Sequence, residues 1–145
     1  MKTSQIGIDL IKFFEGFKSK PYLCPAKVPT IGYGSTMYAD GTKVKLSDPN
    51  VTELKAEELL KNTLTTYENV VLKNIKVPLK QQEFDALVSH TYNTGGSQTL
   101  FKMVNEKNPL LKTWWETHYI MGGGKQLKGL VNRRLAETKI YFKPM

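Results

Sequence analysis

Between residues 16 and 41, glycine stands at 16, 32, 34 and 41 and proline at 21, 25 and 29. Helices do not tolerate breakers at that density: proline removes a backbone donor, and glycine loses more conformational freedom on folding than any other residue. The stretch has to fold as turns and short strands, and the pair Asp40 and Gly41 is its strongest hairpin signal. On both sides of it the apolar period is helical. Residues 4–15 carry Ile6, Leu10, Phe13 and Phe14, with Ser4 available as a cap and Gly16 as the stop. From 52 to 75, Leu60, Leu64, Tyr67 and Val71 form one stripe of a long helix that ends before Pro78. Further helices are expected at roughly 80–92, 98–107, 110–120 and 131–142, broken at "NTGG", "NP" and "GGG".

The fold class that follows is α+β and mostly α. A small lobe, about residues 13–50, holds the short antiparallel hairpins. The long helix joins it to a helical lobe, about 76–145, that also takes the N-terminal helix, with a cleft expected where the lobes meet. A chain of 145 residues, 40% apolar and 23% charged, can bury its own core as a single domain spanning 1–145.

Charge and cysteine usage narrow the function. The 21 Lys and Arg against 13 Asp and Glu leave +8, and residues 122–145 hold six basic side chains against one acid, Glu137. That end favours a polyanion, and nucleic acid, an anionic membrane surface and the bacterial cell wall all qualify. One cysteine, Cys24, excludes an intrachain disulfide framework, and two histidines are too few for a convincing metal cluster. No cofactor or metal is expected. The opening "MKTSQIGIDLIKFF" has polar and acidic breaks and no small-residue cleavage site, so it reads as mature sequence rather than a signal.

The chemistry concentrates in "FFEGFKSKPYLCPAKVPTIGYGS", residues 13–35. A proton-donating carboxylic acid needs surroundings that disfavour its ionised form, and a helix C-terminus with aromatic neighbours supplies them. Glu15 has both in sequence, with Phe13, Phe14 and Phe17 beside it. Such an acid suits protonation of a glycosidic oxygen. Taken singly, Glu15 also fits an exposed helix end, Cys24 a small buried hydrophobe and Thr30 an ordinary strand residue.

The combination is more specific. Glu15 is followed by Gly16, by Cys24 after eight intervening residues, and by Thr30 after five more, opening "TIGYG". This resembles the signature of the phage-type lysozymes, the endolysins of glycoside hydrolase family 24. "QEFDALVSHTYNTG" (82–95) resembles that family's central buried helix, and "GLVNRRLAE" (129–137) its C-terminal arginine motif. The resemblance runs from about residue 4 to residue 142.

It implies a lysozyme-like fold and a muramidase. Glu15 would be the general acid, Cys24 and Thr30 would hold and polarise the attacking water, and Tyr92, Asn93 and Arg133 would contact the glycan. Arg133 also fits a salt bridge fixing the last helix. Arg134 and Glu137 are expected to be structural, and Trp114 and Trp115 to be core. His90 takes a place where the family commonly has an apolar side chain, so a neutral, hydrogen-bonded core histidine is expected. Cys24 stands where Asp is commoner, and an ordinary thiol is mostly protonated at neutral pH. The implied partner is bacterial peptidoglycan, not nucleic acid, with no stable membrane insertion. The protein would act as a monomer, wait in the host cytoplasm, and reach the wall through a holin-made lesion. The competing readings are a lytic transglycosylase, a non-catalytic basic protein that binds the wall or disrupts membranes, and a cysteine protease using Cys24 with His90 or His118.

Overall fold

A computed structural model describes residues 1–144. Six helices and two small hairpins follow in the order α1 (Gln5–Glu15), β1 (Lys18–Leu23), β2 (Pro29–Gly32), α2 (Glu53–Asn74), α3 (Gln81–Thr94), α4 (Gln98–Asn105), α5 (Leu111–Thr117), β3 (Met121–Gly122), β4 (Lys125–Gln126) and α6 (Lys128–Tyr141). The mostly helical α+β class is as expected. By internal contacts the chain divides into two compact units: Ile11–Thr65, and Met1–Leu10 together with the chain from Thr66 onward.

In the unit Ile11–Thr65, β1 and β2 pair antiparallel, with Lys18 opposite Gly32, Tyr22 opposite Thr30 and Leu23 opposite Pro29. Residues 19–21 therefore stand against Ile31 alone, a bulge. Pro21, which has no N–H to give a ladder, sits inside it. The Asp40–Gly41 signal forms a tight turn closed by Tyr38 N–H to Thr42 O (2.8 Å), flanked by a single bridge between Met37 and Lys43 rather than by full strands. Ile31, Val44 and Leu59 make the core, flanked by Tyr38 and Val51. Gly32 is required twice over. Its φ is +69°, and a Cβ there would lie 3.0 Å from the Ala56 Cβ on α2.

In the other unit α3 is the hub, with Phe84, Ala86, Leu87 and Val88 fully buried and α6 packed along it. Leu100 and Phe101 of α4, and Leu111 and Trp115 of α5, complete that core. The N-terminal segment is clasped to it. The Thr3 amide and hydroxyl both donate to Glu68 Oε2 at 2.7 Å, and the Ser4 amide donates to Asp85 Oδ1 at 2.9 Å. The Ser4 hydroxyl, expected to cap α1, instead donates to Asp85 Oδ2. Two boundaries also differ from expectation. Helix α5 stops at Thr117, and the "GGG" run does not merely end it but builds the β3–β4 hairpin around a Gly123–Gly124 turn. Helix α6 starts at Lys128, a turn earlier than the apolar period suggested. Among the described residues no helix is long and apolar enough to cross a membrane.

Candidate active site

Glu15 is the last residue of α1. Gly16, at φ +75°, follows it in the left-handed conformation that ends helices, and its N–H closes on Lys12 O at 3.0 Å. Of the three rings expected around Glu15, Phe13 points away, 79% exposed with its edge on Phe14, while Phe14 and Phe17 are half-buried. The apolar surroundings are thus thinner than the sequence suggested. One turn back, Lys12 reaches Glu57 on α2 (2.7 Å) and lies 5.3 Å from the centre of the Tyr33 ring. This pins the end of α1 to the "TIGYG" stretch.

Cys24 follows β1 directly and opens the turn into β2. Its N–H donates to Val28 O (3.1 Å) and its carbonyl accepts from Lys27 N–H (2.7 Å), with Lys27 at φ +63°. The thiol is half-exposed, not the buried small hydrophobe that competed for this position. Hydrogen bonding from the Val28 backbone holds it below its ordinary range, against the upward push of partial burial and with help from the Ala26 backbone and the Thr30 hydroxyl. Thr30 is buried, and its hydroxyl lies 2.8 Å from Val28 O, so its single proton is given either to that carbonyl or to the Cys24 sulfur. The spacing that singled out these two residues therefore brings them together: the turn returns the chain so that Thr30 meets the Cys24 sulfur.

Tyr22 belongs to the same group, and the sequence reading missed it. It pairs directly with Thr30 across the hairpin, so the two share a face, and Cys24 is near both: its charge acts on Tyr22 and its sulfur meets the Thr30 hydroxyl. Burial raises the Tyr22 hydroxyl, and the nearby negative charges of Glu15 and Cys24 raise it further, so it remains a neutral donor. The alternation Tyr-x-Cys was the available signal.

The remaining predicted residues lie in the other unit. Tyr92 is half-buried, edge-on to Tyr67 with centroids 5.0 Å apart. Asn93 is exposed, its Oδ1 accepts from Arg134 Nη2 (2.7 Å), and Gly95 at φ +89° caps α3 just beyond it. Arg133 is buried, 3% exposed, donating from Nη2 to Ser89 O (3.2 Å) with Nε 3.5 Å from Glu137 Oε2. Glu137 is the centre of this network. It accepts from Ser89 Oγ (2.6 Å) and Trp115 Nε1 (3.0 Å), and Arg134 Nε lies 3.0 Å from its Oε1. Burial pushes the Glu137 carboxyl up and the Arg134 guanidinium down, each against the pull of the other. Trp115 is core as expected, whereas Trp114 is half-buried and stacked on His118 at 4.3 Å.

The profile of the phage lysozyme family matches residues 12–137. The chain belongs to the phage lysozyme family. It is 37% identical to the endolysin of Bacillus phage PZA over 97% of its own length and 55% of that protein's. It thus spans about half the length of this curated relative. Among solved structures it resembles an endolysin from Escherichia coli O157:H7 phage FAHEc1, with 38% identity, a TM-score of 0.81, and coverage of 99% of this chain and 94% of that one. A variant of P22 lysozyme superposes with a TM-score of 0.84 at 29% identity, covering 99% of each chain.

Within this phage lysozyme family member His90 is the residue whose surroundings depart furthest from expectation. It is fully buried on α3, but only half hydrogen-bonded: Thr94 Oγ1 lies 3.5 Å from Nδ1, while Nε2 has no partner. The rings of Trp115 and Tyr119 enclose it edge-on at 5.5 and 5.3 Å. Burial first, then the charges of Arg134 and Arg133, push it down to about 3. It is a neutral core imidazole in this family member, unsuited to act as a base for Cys24.

Proposed function

We propose that the chain is an endolysin that hydrolyses the β-1,4 bond between N-acetylmuramic acid and N-acetylglucosamine in bacterial peptidoglycan and so lyses the host cell. Glu15 gives its proton to the glycosidic oxygen as the carbon–oxygen bond breaks. A water held by Cys24 and Thr30 adds to the sugar carbon from the opposite face and yields its proton to the Cys24 thiolate. Tyr92, Asn93 and Arg133 bind the glycan. The whole chain works as one lysozyme-like domain and as a monomer. It waits in the host cytoplasm and reaches the wall through a holin-made lesion. The observation that carries this reading is the hydrogen-bonded thiol of Cys24, held below its ordinary range against Thr30 on the face where Tyr22 feels the charge of Glu15. A thiol so held ionises at lower pH than an ordinary cysteine, and its thiolate is the form that can accept the water's proton.

The test is Glu15→Gln on purified peptidoglycan, with the products weighed by mass spectrometry. An amide donates no such proton, so turnover should fall by at least the ~10² that general acid catalysis contributes. Wild-type products should carry one added water per cleavage. A variant keeping more than about a tenth of wild-type turnover would move the acid elsewhere. Products lacking the added water would make the enzyme a transglycosylase.

A further inference from the structure

The unit that carries α3 and α6 has a second built surface, and none of its lining residues belongs to the unit that holds Glu15, Cys24 and Thr30. Three depressions of about 450, 260 and 420 Å³ run into one another around the C-terminal end of α6. The first shares Lys112 and Phe142 with the second, and Ile140, Lys143 and Pro144 with the third. The floor is apolar, and large apolar side chains stand out beside it: Ile6 is 63% exposed, Leu110 64% and Phe142 41%. Lys107, Lys112, Lys139 and Lys143 line the same grooves, all exposed. Exposed Glu106 adjoins Lys107 in sequence, and two further acids at hand accept hydrogen bonds from neutral groups. Asp85 accepts from Ser4 and Gln81, and Glu116 accepts from Thr138.

From this surface we infer that the protein docks on the face of an anionic phospholipid bilayer, a partner beyond the glycan of the proposed function and independent of it. A polyanion without acyl chains would need the lysines but not the exposed Ile6, Leu110 and Phe142. An apolar peptide would need the exposed apolar side chains and not four lysines. A bilayer interface presents phosphates at the level of the ammonium groups and hydrocarbon just below them, which matches a lysine rim over an apolar floor. The docking is peripheral, since the surface offers no spanning segment.

Flotation of the full chain with vesicles tests this. It should bind vesicles of phosphatidylglycerol mixed into phosphatidylcholine and leave vesicles of phosphatidylcholine alone. Replacing Lys112, Lys139 and Lys143 together by Glu should weaken binding by at least about a hundredfold, since each lysine near an anionic surface is worth about fivefold and each glutamate adds repulsion. The same charge change at exposed Lys43, Lys45 and Lys73, away from the grooves, should cost only a few-fold. Leu110→Ser with Phe142→Ser should weaken binding at unchanged net charge. A circular dichroism melt on each variant shows that it folds, and single Lys→Gln changes at the same positions give a milder series if the triple variant does not. The inference is overturned if anionic vesicles are not bound, if the two triple-Glu variants lose binding equally, or if the apolar pair makes no difference. Cleavage of dispersed peptidoglycan should be unchanged in the groove variants, so vesicle binding and glycan hydrolysis stand or fall separately.

Discussion

Lowering the pH from 7 to 5 should remove about 2 kcal/mol of folding stability through His90 alone. In the unfolded chain its imidazole titrates near 6.5, and in the folded chain at about 3. A depressed folded value means that the neutral form is the one the fold accepts. The stabilisation is therefore complete above about 6.5 and is lost as pH falls toward 3, because the unfolded chain takes up a proton that the folded chain refuses. The limiting slope is about 1.4 kcal/mol per pH unit, and integration from 7 to 5 gives about 2 kcal/mol, provided only that the folded value lies well below 5. For a chain of this size that is a fall of roughly 4–8 °C in melting temperature.

Other groups titrate too, so the measurement is a difference. Urea or thermal melts at pH 7 and pH 5 are compared between wild type and His90→Leu. Leucine suits the site because Nε2 has no partner to lose and the surrounding Trp115 and Tyr119 rings already make an apolar wall. The variant should lack about 2 kcal/mol of the wild-type pH dependence. Equal losses in the two proteins would mean that the folded chain protonates His90 freely, and the account of its burial against Trp115 and Tyr119 under the charges of Arg133 and Arg134 would be wrong.

Two further outcomes follow from the candidate site and from the buried network. Cys24→Asp should stay active, Cys24→Ser should be weaker and Cys24→Ala weakest. The rising limb of the wild-type pH–activity profile should lie below the ordinary thiol value, because the thiol is held down, and should move further down in Cys24→Asp; an active alanine variant would remove Cys24 from the site. Arg134→Met should cost about 3–5 kcal/mol in urea denaturation by stranding Glu137, and adding Glu137→Gln should recover part of it; a pair no more stable than the single variant would show that the charge balance is not what matters there.

What the sequence made legible, and what it hid, divide along physical lines. The Glu15, Cys24 and Thr30 spacing was readable because a turn and strand alternation, both local, decide which side chains meet. The helical periods of α1 and α2 were readable for the same reason, and their observed bounds, Gln5–Glu15 and Glu53–Asn74, lie within a residue of expectation. The bulge around Pro21 and the two-residue strands β3 and β4 were not readable, since neither is long enough to leave a period. The Ser4 hydroxyl went to Asp85, a partner 81 positions away that no local cap rule sees. The half-satisfied state of His90 likewise depends on Trp115, Tyr119 and two arginines brought in by folding.

Helix α1 has an uneven tolerance to change. Its start is held by the Ser4 clasp and by the close approach at Gly7, where a Cβ would come within 2.9 Å of the Asp85 side chain. Its end is Glu15. Letters on the open face, such as Ile6, Asp9 and Phe13, can be rewritten with little effect on the backbone. One residue added or removed between Gly7 and Glu15 is another matter. It would turn every later side chain of the helix by about 100° about the helix axis and move it by about 1.5 Å along that axis. The segment thus works as a ruler. Drift in sequence along it costs little, but insertions and deletions there should be absent from any active descendant of this chain.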